Sequence, residues 1–371
     1  MTEPHPQPVR ISSEPAQLQA LEPVLEKVLT AVGDVPELLA IAKDIGRTAP
    51  KPGEGNTAKL WEFLASVTAV DVAAGRVLEP HLDALAILAQ AGVEAQAGVE
   101  AEAQAGVEAQ QQGAWGVFAA EGAGMKLEAK RDADGNFVLN GSKPWCSLAA
   151  QLEAAVITAH LEDNSRAAFA VDLKASGVSC ETPQWTSRGL QEIPSGTVHF
   201  DQVAARPVGH NRWYFRRPGF AWGGMGVAAC WLGGAVSVAR HFAVTLNTAA
   251  DNGREPDQIA LASLGEIDRL ITSATGYLAV TAERIDAGDL EGSDPESPSA
   301  WSEALRVRGT VAAAVERVQE LVTQNLGPGP LAFDEAYGKR MADLSLYIRQ
   351  HHAMRDDAQL GALTLKGDRS W

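Results

Sequence analysis

The chain has 371 residues, 46% apolar and 21% charged, which excludes a wholly disordered protein and leaves ample material for a large core. Basic side chains number 31 against 47 acidic ones, a net charge of −16. A surface of that sign repels phosphate backbones and anionic lipid, so nucleic acid is not an expected partner. Cys146, Cys180 and Cys230 are scattered and odd in number, which suits neither a disulfide framework nor a metal site and points to a reducing compartment. The opening MTEPHPQPVRISSEP is polar and proline-rich, without the apolar run of a signal peptide. The expected location is cytoplasmic.

In chain order, residues 17–46 carry apolar side chains at helical spacing (Leu18, Leu21, Val24, Leu25, Val28, Leu29, Val32) and 57–88 do so again. The Pro- and Gly-bearing stretch TAPKPGEGN, 48–56, separates the two. The unit AGVEAQ then recurs across 91–112 at spacings of six and eight, which fits neither a heptad nor a solenoid repeat. Its Ala and Glu content reads as a solvent-facing helical extension.

The pattern changes at Gly113. Short β-branched or aromatic runs follow one another closely: 137–139 after the hairpin pair Asp134-Gly135, then 154–159, 167–171 and 197–200. Four to seven such strands predict an antiparallel barrel or sandwich. DADGN at 132–136 reads as a turn, because the later ligands of a calcium loop are missing. Helical periodicity resumes over 218–250, 258–287, 299–326 and 335–363. The uncharged stretch 218–239 is long enough to span a bilayer, but its Gly and Ala content reads as a helix buried on all sides rather than a membrane span. The predicted fold is α+β: an N-terminal helical domain over 1–112, with the low-complexity insertion 91–112, a middle β-barrel or sandwich domain over 113–208, and a C-terminal helical bundle over 209–371.

Gly224-Met-Gly226-Val-Ala-Ala229 matches GxGxxA, but no strand precedes it and no acidic residue follows at the required distance, so the glycines read as close-packing positions. In Asn140–Ser147, a turn leads into a strand bearing Trp145, whose flat π surface can stack on a heteroaromatic ring, and Ser147, whose hydroxyl can hydrogen-bond its edge.

Together, LNGSKPWCS (139–147), RGLQEIPSGTVHF with DQV (188–203) and the Gly/Ala-rich helix 223–240 resemble the acyl-CoA dehydrogenase superfamily of flavoproteins, over most of 55–361. The resemblance implies FAD, with Trp145 beside the isoalloxazine, Ser147 hydrogen-bonding near its N5, and Cys146 between them. Gly122 and Gly124 occupy the place of the pyrophosphate loop, where Met125 replaces the usual Ser. Arg254 and the turn bearing Gly327 and Gly329 stand where a neighbouring subunit completes the site, implying a homodimer or homotetramer. The implied reaction is α,β-dehydrogenation of an acyl-CoA or related thioester, as in fatty acid metabolism, with an electron-acceptor protein as a further partner.

Such a reaction needs a carboxylate to take the α-proton. The family's usual base position falls at His351, and its alternative falls at Gly223 or Gly224. Two other readings follow: a flavin-dependent monooxygenase of the same fold using His351, or a non-catalytic subunit paired with an active paralogue. His352 and Asp356, at i,i+4, are placed to pair. No metal is expected.

Overall fold

The structure, a computed structural model, describes residues 6–96, 113–291 and 299–368. Three short helices, α1 (Pro15–Gln19), α2 (Glu22–Thr30) and α3 (Val35–Gly46), open the chain, followed by α4 (Thr57–Val70) and α5 (Val72–Gln96). The periodicity had predicted one helix over 17–46 and one over 57–88. Prolines explain the first division: Pro15, Pro23 and Pro36 each sit in the first turn of a helix, where the missing N–H costs nothing. The second falls at Asp71, whose extended backbone ends α4 and whose carboxylate accepts from Ala74 N to cap α5. The first AGVEAQ unit continues α5 to Gln96; the other repeats lie outside the described residues.

Seven strands follow: β1 (Trp115–Phe118), β2 (Leu127–Arg131), β3 (Phe137–Ser147), β4 (Ala154–His160), β5 (Arg166–Asp172), β6 (Val178–Cys180) and β7 (Ser195–Val208). The Asp134-Gly135 turn joins β2 to β3 as expected, with Asp132 accepting from the Asp134 and Asn136 amides and Gly135 at φ 85°. The β4–β5 pairing closes the path β4–β2–β3–β7–β5 into a barrel. Only β1 and β2 pair parallel, both with β4.

Helices α6 (Trp213–Arg216), α7 (Pro218–Asp251), α8 (Gln258–Asp286) and α9 (Ser299–Leu326) come next. Among the described residues α7 alone is long and apolar enough to cross a membrane; two-thirds of its most apolar window is buried inside the protein. It is the core helix of the bundle, as its Gly/Ala content suggested. Its glycines permit the packing, since a Cβ on Gly233 would stand 2.0 Å from the Ala65 carbonyl oxygen on α4.

The last predicted helix is broken. α10 (Pro328–Phe333) and α11 (Glu335–Tyr347) precede a 3₁₀ turn at Ile348–Gln350, and α12 (Met354–Leu365) starts after Ala353, at φ 50°. His351 and His352 therefore lie in a connection rather than on a helix face.

One cation joins all three regions. Lys339 Nζ, on α11, is 2.8 Å from Asp71 at the start of α5, 2.8 Å from Glu192 in the loop between β6 and β7, and 2.7 Å from Asp343 on its own helix. These carboxylates lie within 4.8 Å of one another, a spacing that could hold a metal ion, but the Lys339 ammonium already occupies the place between them. Asp343 also accepts from Leu190 N at 2.5 Å, and Gly189 presses against α11, where a Cβ would meet Ala342 O at 2.3 Å. Burial opposes the lysine's charge, yet Asp71 and Asp343 outweigh it and raise its pKa. Lys339→Met leaves the buried Asp71 and Asp343 and the largely buried Glu192 without their counter-ion, and should lower unfolding stability by about 2 kcal/mol or more in denaturant titrations at neutral pH; a change under about 0.5 kcal/mol would show that the cluster does not hold the regions together.

Candidate functional site

The segment that carries Trp145 is shaped by a β-bulge. Lys143 pairs with Val198 on β7 and Cys146 with Gly196, so β3 fits one more residue into this span than its partner does. Pro144 supplies no N–H to the ladder, and Trp145 takes φ 60°, the left-handed region that a bulky residue rarely adopts. The kink turns the indole off the sheet, leaving it 62% exposed. It lines a cleft of about 630 Å3 with Met125, Pro144, Glu181, Ser195 and Thr197. A second hollow, about 620 Å3, shares Thr182 and Pro183 with it and continues to Trp185 and Arg188. Ser147 Oγ lies 2.6 Å from Ser195 Oγ, and Ser195 lines the cleft.

Cys146 faces the other way. Its thiol is buried in the barrel core, 3.3 Å from Lys143 O, and burial pushes its pKa up to about 12. The expectation that Cys146 touches a cofactor is corrected to its backbone at most, because strand alternation turns its side chain inward.

The glycine-bearing loop between β1 and β2 is pinned through Glu121. The buried Lys143 ammonium holds it at 2.9 Å, and His160 and Arg166 at 3.1 Å each. Burial disfavours the carboxylate's charge, but these hydrogen bonds outweigh it and bring the pKa down to about 2. Gly122 then backs onto Pro144, where a Cβ would sit 2.9 Å from Cγ, while Gly124 at φ 76° has open space beside it. Across the sheet Ser142 Oγ is 2.8 Å from His199 Nδ1, and His199 Nε2 is 2.7 Å from Glu181 on the cleft wall.

Gly122, Trp145 and Ser147 are thus brought together at one end of the barrel, whereas His351, Arg254, Gly327 and Gly329 are not. Exposed Arg254 lies in the α7–α8 turn, and Gly327 and Gly329 follow α9. A hydrogen bond from Asn325 Nδ2 to Ser263 Oγ, 3.0 Å, puts the two turns at the same end of the α8–α9 pair.

His351 belongs to a polar cluster in the helical core. Its ring stands edge-on to Trp231 at 6.3 Å, and its Nε2 is buried, 3.8 Å from Asp356, without a hydrogen-bond partner among the described residues. Burial lowers its pKa, which keeps the ring neutral at neutral pH. His352 is exposed and pairs with Asp356 at 3.3 Å as its spacing suggested. Arg308 donates to Gly224 O and Gln350 O at 2.9 and 2.7 Å, and lies over Trp231.

The sequence reading missed the centre of this cluster. Glu79 and Asp83 lie one turn apart on α5, facing Arg76 at 3.7 Å and Arg217 at 3.9 Å. Two acids at i,i+4 on the buried face of an apolar helix were the available signal. Burial raises both, Glu79 to about 7 against an ordinary 4.5, with Arg76 opposing. The folded protein holds that proton up to about pH 7 while the unfolded chain releases it near 4.5, so unfolding free energy falls as pH rises between the two. Glu79→Gln should flatten that decline, by up to about 3 kcal/mol across the interval. An unchanged slope in denaturant melts from pH ~5 to ~8 would place its source elsewhere.

The family model "Acyl-CoA dehydrogenase, middle domain" matches residues 119–203, the loop and strands that carry Trp145. Solved structures of similar fold include KijD3 in complex with FMN and a dTDP-linked amino keto sugar (15% identity, 95% of this chain and 94% of that one, TM-score 0.76). TdsC from Paenibacillus sp. A11-2 with FMN and indole matches at 17% identity, over 94% and 97% of the two chains, TM-score 0.76. Butyryl-CoA dehydrogenase from Megasphaera elsdenii matches at 15%, over 96% and 100%, TM-score 0.74. At these identities the likeness is one of fold. No curated protein sequence matches the chain.

Proposed function

We propose that the chain, whose residues 119–203 match the acyl-CoA dehydrogenase middle-domain model and whose fold is similar to that of butyryl-CoA dehydrogenase, KijD3 and TdsC, is a flavin-dependent oxidoreductase whose isoalloxazine stacks on Trp145. The carrying observation is the bulge that holds this indole exposed, in a strained conformation, over a cleft of about 630 Å3. Conformational strain and an exposed aromatic are both retained where a ligand completes the packing.

The residues present fit a flavin ring better than its phosphates. Ser195 and Thr197 offer hydroxyls to a heteroaromatic edge, and Gly124 leaves open space beside its loop for a phosphate. The nearby cations Lys143 and Arg166 are spent on Glu121. Arg254 of a second subunit is the resemblance's answer to that shortfall, which supports a homo-oligomer; Ile259 and Phe333, 72% and 92% exposed, stand in helices α8 and α10 next to the two turns concerned. FAD is the flavin the resemblance implies, while KijD3 and TdsC were solved with FMN.

When bound, flavin supplies the two-electron chemistry, and the chain's part is to orient the substrate and move its protons. His351, with a neutral ring and an unpartnered Nε2, is suited to hold or pass a proton in the helical core. That favours the monooxygenase reading over α,β-dehydrogenation of an acyl-CoA, which calls for a carboxylate in its place. KijD3 and TdsC share the fold with butyryl-CoA dehydrogenase, so the fold accommodates either class.

Titration with FAD and with FMN should quench the tryptophan fluorescence of the protein, and Trp145→Ala should weaken binding roughly tenfold or more. Absence of binding for both flavins would remove the proposal. With flavin bound, an acyl-CoA added without oxygen should leave the flavin oxidised; rapid bleaching would restore the dehydrogenase reading.

A further inference from the structure

Between α4, α5 and α7 lies a half-open crevice whose water-accessible space, about 20 Å3, has room for one hydroxyl-sized group. Glu79 and Asp83 of α5 line one side, with Trp61 of α4 and Trp222 and Gly226 of α7 on the others. Trp61 is wholly buried, and its Nε1 finds no acceptor among the described residues. That nitrogen lies 3.4 Å from where a Cβ on Gly226 would stand, and both residues line the crevice, so the glycine leaves the indole nitrogen beside it uncovered. Gly223 has the matching place opposite, where a Cβ would meet Asp83 Oδ1 at 2.9 Å. Two glycines thus leave an indole donor and a pair of carboxylates facing a space that neither fills.

A buried N–H without an acceptor is a standing cost to the fold, which a suitable ligand removes. The group that fits accepts from Trp61 and donates to a carboxylate, as a hydroxyl does. Leu60, Leu64 and Leu82 make the rest of the wall apolar. We propose that this crevice takes the hydroxyl of an otherwise apolar small molecule, with Trp61 donating to its oxygen and Glu79 accepting from its O–H. If the transfer runs to completion the O–H bond breaks, its electron pair stays on oxygen, and the proton rests on the Glu79 carboxylate. The assignment rests on reading the helical core as the substrate side of a flavin enzyme.

Glu79 faces Arg76 and Asp83 on its own helix, Arg308 from α9, Tyr214 from α6, Cys230 from α7 and Tyr347 from α11. Its pKa of about 7 lets it accept above that pH and hold its proton below. Trp222 forms part of the crevice wall. This half-buried ring is tied by Nε1 to Leu290 O at 2.8 Å and capped by Gly53, at φ 81°, where a Cβ would strike it at 2.7 Å.

Phenol and benzene, alike in size but for the hydroxyl, are the probes, titrated calorimetrically into the full-length protein without flavin. Near pH 8.5 phenol should bind about tenfold tighter than benzene, and the preference should shrink near pH 6 as Glu79 takes up its proton. Trp61→Phe and Glu79→Gln, checked by circular dichroism for an intact fold, should each lower the preference severalfold. Equal binding of the two probes by the unaltered protein, or a phenol preference that both variants retain, overturns the assignment. A flavin titration on the same samples separates the two claims: phenol preference without flavin binding leaves the crevice standing and removes the flavin reading, and flavin binding without phenol preference does the reverse.

Discussion

A single ammonium decides how the parts of this molecule sit together. Three carboxylates within 4.8 Å of one another repel strongly in a half-buried setting, and Lys339 reverses that repulsion. Because Asp71 begins α5, Glu192 belongs to the barrel and Asp343 to α11, the pair interactions fix the β domain against both helical regions. The loop that Glu192 and Leu190 anchor also forms part of the wall of the Trp145 cleft, from Glu181 to Gln184, and of the adjoining hollow to Arg188. The cleft therefore takes its shape from an ion cluster it does not touch. Asp71 precedes Glu79 by eight residues, about 12 Å along α5.

Two kinds of surface result. On the barrel, strain and exposure are concentrated at Pro144-Trp145, backed by a glycine-bearing loop whose acid is fully neutralised. In the bundle, buried Glu79 and the half-buried Asp83, Arg308 and His351 lie among tryptophans on a core otherwise made of alanine, glycine and aliphatic side chains. A planar ring suits the first, and proton transfer under a lowered dielectric suits the second.

Much of this organisation was legible in the sequence. Alternation and turn pairs marked the β2–β3 and β4–β5 hairpins, and the helical spans over 218–251, 258–286 and 299–326 came within a residue. Helix divisions were not, because hydrophobic periodicity runs on through Asp71 and through Ala353, where capping and a left-handed residue stop the chain. Trp145 stood out through its motif, while its bulge depends on the register with β7, a long-range property. Glu79 and Asp83 escaped notice because exposed acids at i,i+4 are ordinary on helices; only tertiary packing shows that these two are buried beside an unsatisfied indole.

The central claim is that the bulged indole is the platform for a flavin ring. A crystal structure of the protein soaked with flavin tests it most directly. The isoalloxazine should lie in van der Waals contact with Trp145, between it and the Ser195–Thr197 stretch of β7, with its polar edge at the hydroxyls there. A ring bound elsewhere, with the Trp145 cleft filled only by solvent, would contradict the account.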